Sequence, residues 1–347
     1  MLTRDGENLF AVRSPNIVTM LGTREQLVTE LLENIEQFEL PHEYNPRSTR
    51  RQVTTSAGIV RSPLSEHDLG QLIPVQKRYP ARDFVIVGGE SLGITDVTSV
   101  LTQVGSQRGI DVTVIDATRV DVASAITKFK WAGGGASSPR LVVVDGSRVQ
   151  AAQAAALLNA AESVRNRSGG HLVIVLGPGS IETFSRCRHN WAFSNTKLMT
   201  LEKWSGDGIR SWHDNPFNTP TDRQRLLRHS GGWPELVEQA VIDIATRNVS
   251  HAEEWDRLSS FPEDTGVAET FLRRVGIGES LQPLLAAWAG LGSSTYESIE
   301  DIAAVLDRDI DEIRAVAEDL TLLGAVNENH GEFLIDPVVV RAVTKLA

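Results

Sequence analysis

Five short apolar runs follow one another through the middle of the chain and form its most regular pattern. They lie at 84–88, 112–117, 141–145, 172–177 and, more weakly, 197–201. Between them, residues 94–104 place apolar side chains on one helical face, and the alanine-rich stretch 149–167 favours a helix. Continuous apolar strands separated by helices predict a parallel sheet covered on both faces. Ligands of such sheets bind beyond the carboxyl ends of the strands, so we expect any chemistry there.

The pattern changes twice after the last apolar run. From 206 to 278 it is entirely helical, with a break at Gly231-Gly232 between two amphipathic helices. From 279 onward it gives three helices, a hairpin at 326–337 and a closing helix, which is the order of a winged-helix domain. We therefore predict an α/β domain over 1–205, a small helical domain over 206–278 and a winged helix over 279–347. The third helix of the last domain is expected to bury Ile310, Ile313, Val316, Leu320 and Leu323.

The first 65 residues add a helix and a basic segment. Apolar side chains at helical spacing predict a helix within 17–38, which Thr23 can cap. The insertion 41–65 can hold a strand at 52–60, and a solvated loop with a hairpin is the competing interpretation. Four arginines of this insertion are candidates for contact with an anionic partner such as nucleic acid: Arg47, Arg50, Arg51 and Arg61.

The loop after the first apolar run, from Gly88 to Thr95, has the sequence GGESLGIT. It matches the phosphate-binding pattern G-x-x-x-x-G-K-[ST] at every fixed position except Ile94, where the pattern has lysine. Such loops hold an anion because backbone N–H groups and a helix N-terminus converge on it, and Gly88 and Gly93 allow a close approach. Thr95 keeps the hydroxyl that ligates Mg²⁺, whereas Ile94 removes the positive charge. The loop is either a weakened nucleotide site or a tight turn between a strand and a helix.

A carboxylate at the end of the third apolar run is the second candidate for this chemistry. Asp145 occupies the place of an acid that orients Mg²⁺. An active hydrolase of this kind also positions its water with a nearby residue. The next acid along the chain, however, is Glu162. The lysine and the water-activating acid are therefore both missing.

These motifs, in this order, resemble an AAA+/STAND-type P-loop ATPase module over about 17–345. MLGTREQL is similar to the helix that opens such modules, GGESLGIT to the Walker A loop and LVVVD to the Walker B strand. LVIVLGPGS is similar to the sensor-1 strand, with Ser180 as the nearest polar candidate. HSGGWPELV resembles the motif of the lid through Gly232, Trp233 and Pro234. The resemblance implies an α/β fold with a parallel P-loop NTPase-like (AAA+/ASCE) sheet, an all-α lid and a C-terminal winged helix.

The resemblance also implies a nucleotide site. ATP or ADP with Mg²⁺ would be the cofactor, and Thr95 and Asp145 would lie at the metal. Arg186 and Arg188 lie where the family often places an arginine finger, although a solvated helix explains them equally well. The residues expected around the nucleotide are Gly88, Gly89, Gly93, Ile94, Thr95, Asp145, Trp233 and Pro234.

Negative charge is concentrated at the C-terminal end of the chain. The net charge is −11, and residues 279–347 hold 13 acidic against four basic residues. The third helix and the hairpin of the predicted winged helix are acidic, so they would repel a duplex and are expected to contact protein. A single cysteine excludes an intramolecular disulfide. No apolar run reaches 18 residues, so we expect a cytoplasmic protein without a membrane partner.

Three functions are compatible with these observations. The leading hypothesis is a catalytically impaired ATPase-fold protein that acts as a scaffold or regulatory subunit of a multiprotein assembly, with or without DNA. It would contact other subunits through its lid and winged helix. One alternative is an active ATP-dependent switch whose lysine is replaced from elsewhere. The other is a DNA-binding protein of the origin, defence or transcription type that keeps the fold without hydrolysis. The missing lysine and acid favour a protein that is not an enzyme.

Overall fold

The N-terminal part of the chain differs from the prediction in its first elements. The predicted range 17–38 opens with a strand, Thr19–Gly22, which pairs with Glu7–Arg13, and a helix capped by Thr23 would start after it. The remainder of that range lies outside the described residues, as do Arg47, Arg50 and Arg51. The computed structural model describes residues 2–4, 7–13, 19–22, 52–55, 58–73, 82–119, 121–128, 140–163, 170–188, 196–212, 215–292 and 296–347.

Two small antiparallel units precede the central sheet. Strands β1 (Leu2–Arg4), β2 (Glu7–Arg13) and β3 (Thr19–Gly22) form a meander that the apolar pattern did not predict. Strands β4 (Gln52–Thr55) and β5 (Gly58–Arg61) form a hairpin, as the competing interpretation described, and not one strand at 52–60. Helix α1 (Glu66–Leu72) follows, and a capping box between Ser65 and Asp68 starts it.

The five apolar runs form one parallel sheet, as predicted. The strand order is β10-β6-β9-β8-β7, so the first strand lies between the fourth and the fifth. This parallel order is that of a P-loop NTPase-like (AAA+/ASCE) fold. All residues of the two central strands, β6 and β9, are buried, because helices cover both faces of such a sheet. The strands are β6 (Asp83–Val87), β7 (Asp111–Asp116), β8 (Arg140–Gly146), β9 (His171–Leu176) and β10 (Thr196–Thr200).

Helices connect these strands, so the carboxyl ends of all five parallel strands lie at the same end of the sheet. The loops at this end of the sheet include 88–96, 147–150 and 177–180, and the first of them holds five of the eight residues predicted around the nucleotide. The helix at Ala151–Ser163 confirms the predicted helix within 149–167. The helices are α2 (Val97–Gln107), α3 (Val122–Lys128), α4 (Ala151–Ser163) and α5 (Ile181–Arg188).

The C-terminal region is helical and contains one small sheet. Two helices meet at Gly231 and Gly232, whose φ angles are positive, and this confirms the predicted break. Strands β11 (Glu297–Ser298), β12 (Val326–Asn329) and β13 (Glu332–Ile335) are arranged β11-β13-β12. The helices are α6 (Gly206–Arg210), α7 (Pro220–Ser230), α8 (Pro234–Arg247), α9 (His251–Ser260), α10 (Thr265–Val275), α11 (Gln282–Gly292), α12 (Ile299–Leu306), α13 (Ile310–Leu322) and α14 (Pro337–Leu346). None of the helices in the described ranges is long and apolar enough to cross a membrane.

Three of the five residues predicted for the buried face of helix α13 and its C-terminus are buried: Ile313, Leu320 and Leu323. Ile310 is 42% exposed and Val316 is half-buried, so neither belongs to the core as expected. The fully buried stripe runs through Ile313, Ala317 and Leu320, at spacings of four and three residues. Ile310 is the first residue of the helix, directly after its cap, and only the following turns bury their inner face.

The C-terminal stretch packs closely against the preceding helices. Helix α14 packs along α10, and α13 contacts α5 of the α/β part. A buried junction adds polar contacts: the carboxylate of Asp336 accepts hydrogen bonds from Trp233 Nε1 at 3.0 Å and from Lys203 Nζ at 2.5 Å. Asp336 is 2% exposed and also caps α14. We call Asp336, Trp233 and Lys203 the Asp336 junction.

Candidate functional site

The glycine loop forms a strand–turn–helix connection with two short 3-10 turns. The first turn covers Glu90–Leu92 and the second covers Ile94–Asp96. Gly93 joins them in the left-handed conformation, with φ of 85°, which favours glycine. Helix α2 therefore begins at Val97, three residues later than the apolar spacing predicted.

The backbone N–H groups of the loop are largely used inside the loop. Leu92 N–H donates to Gly89 O at 3.1 Å, and Ile94 N–H donates to the same oxygen at 3.4 Å. Gly93 N–H donates to Glu90 O at 2.9 Å. A phosphate-binding loop instead directs successive N–H groups to one anion. In this conformation the donors of Leu92, Gly93 and Ile94 are therefore already bonded to protein oxygens.

The C-terminus of helix α10 faces the loop. A Cβ atom placed on Gly89 would lie 2.6 Å from the carbonyl oxygen of Val275 and 3.2 Å from that of Arg274. The C-terminus of a helix carries a partial negative charge. The loop is therefore packed at Gly89 against a helix end whose partial charge disfavours a bound anion.

Ile94, at the position of the missing lysine, is a core residue. Its side chain is fully buried, as is that of Leu92 in the same loop. Leu92 also lies against the turn after α13, because a Cβ atom on Gly324 would lie 3.3 Å from Leu92 Cδ1. Thr95 is half-buried. The apolar side chains of the loop therefore anchor it to the C-terminal region.

Asp145 closes its own turn at the end of β8. Its Oδ1 accepts the N–H of Ser147 at 3.1 Å and the hydroxyl of Ser147 at 2.7 Å. Asp116 of the neighbouring strand β7 makes the same pair of contacts with Thr118. Those hydrogen bonds lower the pKa of Asp116. The repeated pattern Asp-x-Ser/Thr at two strand ends was visible in the sequence and was missed as a turn signal.

No group of three or more His, Cys, Asp or Glu side chains that could hold a metal ion occurs among the residues described. Ser180, the sensor-1 candidate, is fully buried, and its hydroxyl donates to Val149 O at 3.2 Å. It therefore ties together two loops at the carboxyl edge of the sheet, after β8 and after β9.

Trp233 and Pro234 lie inside the C-terminal region. Trp233 is fully buried, packs edge-on against Phe271 at 5.3 Å and donates to Asp336. Pro234 is a buried residue at the start of α8. The indole of Trp233 is therefore buried and not exposed to a ligand, which differs from its expected place beside a nucleotide. Its N–H, the only polar group of the ring, donates to Asp336.

The candidate arginines are not brought to the glycine loop as a group. Arg186 is exposed and pairs with Glu182 one turn earlier on α5, as the solvated-helix alternative describes. Arg188 ends the same helix, and its side chain lies outside the described residues. Arg61, at the end of strand β5, has its guanidinium 4.4 Å from the ring centroid of Trp212.

A partly buried charge cluster beside the loop was not predicted. Burial raises the pKa of Glu238 on α8, whereas the charge of Arg61 opposes this shift. The negative charge of Asp96, in the second 3-10 turn of the loop, raises the pKa of Glu238 further. Trp204 and Trp212 pack edge-to-face at 4.7 Å. The cluster joins the β4–β5 hairpin, the loop and α8, which are far apart in sequence.

Comparisons with known proteins bear on the overall fold alone. No family model matches the chain, and no curated protein matches it. A Walker-type ATPase of Pyrococcus abyssi has 13% identity over 76% of this chain and 91% of its own, with a TM-score of 0.47. A variant of RuvB from Thermotoga maritima has 13% identity over 81% and 94%, with a TM-score of 0.37.

The Orc1 protein of Aeropyrum pernix, solved in complex with DNA, has 12% identity over 77% of this chain and 87% of its own. Its TM-score is 0.30. At these identities and TM-scores, the P-loop-like fold rests on the strand order of the sheet. The role of each residue rests on its own contacts.

Proposed function

We propose that this chain is a P-loop-fold protein that does not hydrolyse nucleotide and acts as a scaffold or regulatory subunit of a protein assembly. The observation that carries the proposal is the approach of the Val275 and Arg274 carbonyls to Gly89. These oxygens pack directly against the loop and bring the partial negative charge of a helix C-terminus to it, which disfavours a bound phosphate. A loop held in this way serves as a packing junction between the sheet and the C-terminal helices.

Three further observations support the loss of hydrolysis. Ile94 is fully buried, so the position of the lysine now contributes to the core. Asp145 accepts two hydrogen bonds from Ser147, which stabilise the turn after β8. The residues after Asp145 supply no second acid before Glu162. A lysine in the loop and acids at the strand end would stabilise a transferred phosphoryl group and its attacking water. Loss of these groups therefore impairs catalysis more than it impairs the fold.

The assembly role draws on the C-terminal region. We interpret 206–278 as the lid and 279–347 as a winged helix, from the order of three helices, a hairpin and a closing helix. Helix α13 would be the recognition helix of a DNA-binding winged helix. It starts with Asp309, Asp311 and Glu312, all exposed, and such a surface repels phosphates. Contact with protein therefore suits this domain better than contact with a duplex.

Nucleotide binding and turnover test the first half of the proposal. ATP and ADP, each with and without Mg²⁺, are titrated into the full chain by calorimetry, and phosphate release is followed in parallel. We expect no saturable heat and no phosphate release above the blank. The Asp145→Ala variant is the matched control. A Mg²⁺-dependent turnover in the wild type that disappears in Asp145→Ala would overturn the proposal and favour an active switch.

A further inference from the structure

A groove with a polar rim lies in the C-terminal region, between α12, α13 and the β12–β13 hairpin. Its volume is about 360 Å³, which is in the range of sites that hold small ligands or a few side chains. None of its lining residues belongs to the glycine loop or to the Asp336 junction. The groove is therefore separate from the site described above.

The floor of the groove is apolar. Ile299 at the start of α12, Leu322 at the end of α13 and Phe333 on β13 line it. These side chains are 4%, 5% and 7% exposed, so they belong to the core of the region and keep one edge open to the groove. An apolar floor of this kind binds the aliphatic part of a side chain by removing it from water.

The rim of the groove carries carboxylates from three elements. They are Glu300 on α12, Glu318 on α13 and Glu328 on β12. The lining contains one base, Arg314, which donates to Asp311 at 2.9 Å and lies 3.9 Å from Glu300. The stretch around the groove, 279–347, has 13 acidic and four basic residues. The local field therefore favours a cation over an anion.

We propose that this groove docks a basic segment of a partner protein, in which an arginine or lysine stands beside an aliphatic residue. Long basic side chains lay their stems along apolar surfaces and keep their charged heads in a polar setting, which matches this floor and rim. A guanidinium would form charge-assisted hydrogen bonds with the glutamates. The inference deepens the assembly role proposed above and rests on it.

Other occupants fit the groove less well. Nucleic acid would bring phosphates to three glutamates, which is repulsive. Divalent cations bind through several converging carboxylates, and the described residues contain no group of three or more ligating side chains in suitable positions. An acidic peptide would meet the same repulsion as nucleic acid.

The probe is a fluorescently labelled eight-residue peptide of alternating arginine and leucine, titrated with the full chain and followed by anisotropy. We expect binding in the micromolar range that weakens with salt. The double variant Glu318→Gln, Glu328→Gln should raise the Kd at least tenfold. Glu318→Gln alone should also weaken binding, and Glu312→Gln is its matched control, because it removes one charge from the same helix at an exposed position that pairs with Arg308 outside the groove. Glu312→Gln should change the Kd less than twofold.

Two further arms separate docking in the groove from general attraction between charges. A peptide of alternating arginine and serine keeps the charge and lacks the aliphatic side chains, so it should bind at least fivefold more weakly. Circular dichroism verifies that each variant is folded. Equal Kd values for the Glu318→Gln variant and the Glu312→Gln control would overturn the inference. So would equal binding of the two peptides. These results are independent of the nucleotide assay, so failure of the groove and failure of the proposed function are distinguishable.

Discussion

The Asp336 junction gives the sharpest stability prediction, because one buried carboxylate serves three partners. In Asp336→Ala, Trp233 Nε1 loses its acceptor, Lys203 loses its counter-charge, and α14 loses its cap. The side chain of Lys203 is 16% exposed, so water compensates its charge only partly. All three losses occur where the C-terminal stretch packs against the preceding helices. We therefore expect the variant to loosen α14 as well as to lower the global stability.

The expected size of the effect follows from these three losses. Loss of a helix cap costs about 1 kcal/mol. A buried indole N–H without an acceptor costs about 1–3 kcal/mol. Removal of one partner of a buried ion pair costs about 3–5 kcal/mol. The contributions overlap because one side chain supplies them all, so we expect a total of about 4–6 kcal/mol. This is a large share of the roughly 5–15 kcal/mol that stabilises a folded protein.

Urea denaturation followed by circular dichroism measures this loss. Asp336→Asn is the control, because its side-chain oxygen still accepts from Trp233 and from the start of α14 while the charge is lost. It should destabilise the protein less than Asp336→Ala does. Lys203→Met combined with Asp336→Asn should cost less than the sum of the two single changes. A loss below about 1 kcal/mol for Asp336→Ala would refute the account of the junction as a three-way contact.

The remaining predictions concern the glycine loop and the charge cluster beside it. Gly89→Ala forces a Cβ atom to within 2.6 Å of Val275 O, so it should lower the stability by about 1–3 kcal/mol in thermal denaturation. Gly70→Ala, where a Cβ meets nothing within 4 Å, should be neutral or stabilising, and equal effects would contradict the close approach of α10. Ile94→Lys restores the phosphate-binding pattern but places an ammonium in a fully buried position, so it should destabilise the fold without creating ATP binding. Saturable ATP binding by that variant in calorimetry would show that the loop can open. Burial raises the pKa of Glu238 above its ordinary value of about 4.5, so the folded state binds this proton more tightly than the unfolded state. The stability conferred by this group is present below the unfolded pKa and is lost as the pH rises through the folded pKa. Glu238→Gln should therefore flatten the pH dependence in that window and raise the melting temperature at neutral pH, and an unchanged slope would contradict the assigned burial.

The sheet and most helices could be predicted because their signals are local. Residues 141–144 are apolar because strand β8 is covered on both faces, and such a run identifies a strand without knowledge of its neighbours. The break at Gly231 and Gly232 is equally local, since both residues adopt positive φ. The N-terminal meander was missed because short antiparallel strands depend on pairing more than on composition.

The candidate site was less predictable than the fold. The sequence alone determined that no lysine stands at position 94 and that no acid closely follows Asp145. It also determined the acidity of the C-terminal region. Only the tertiary structure decided that the C-terminus of α10 faces Gly89 and that Trp233 lies in the core beside Asp336. These contacts join segments far apart along the chain. Their partners are set by how helices pack, and residue patterns within one segment do not encode that packing.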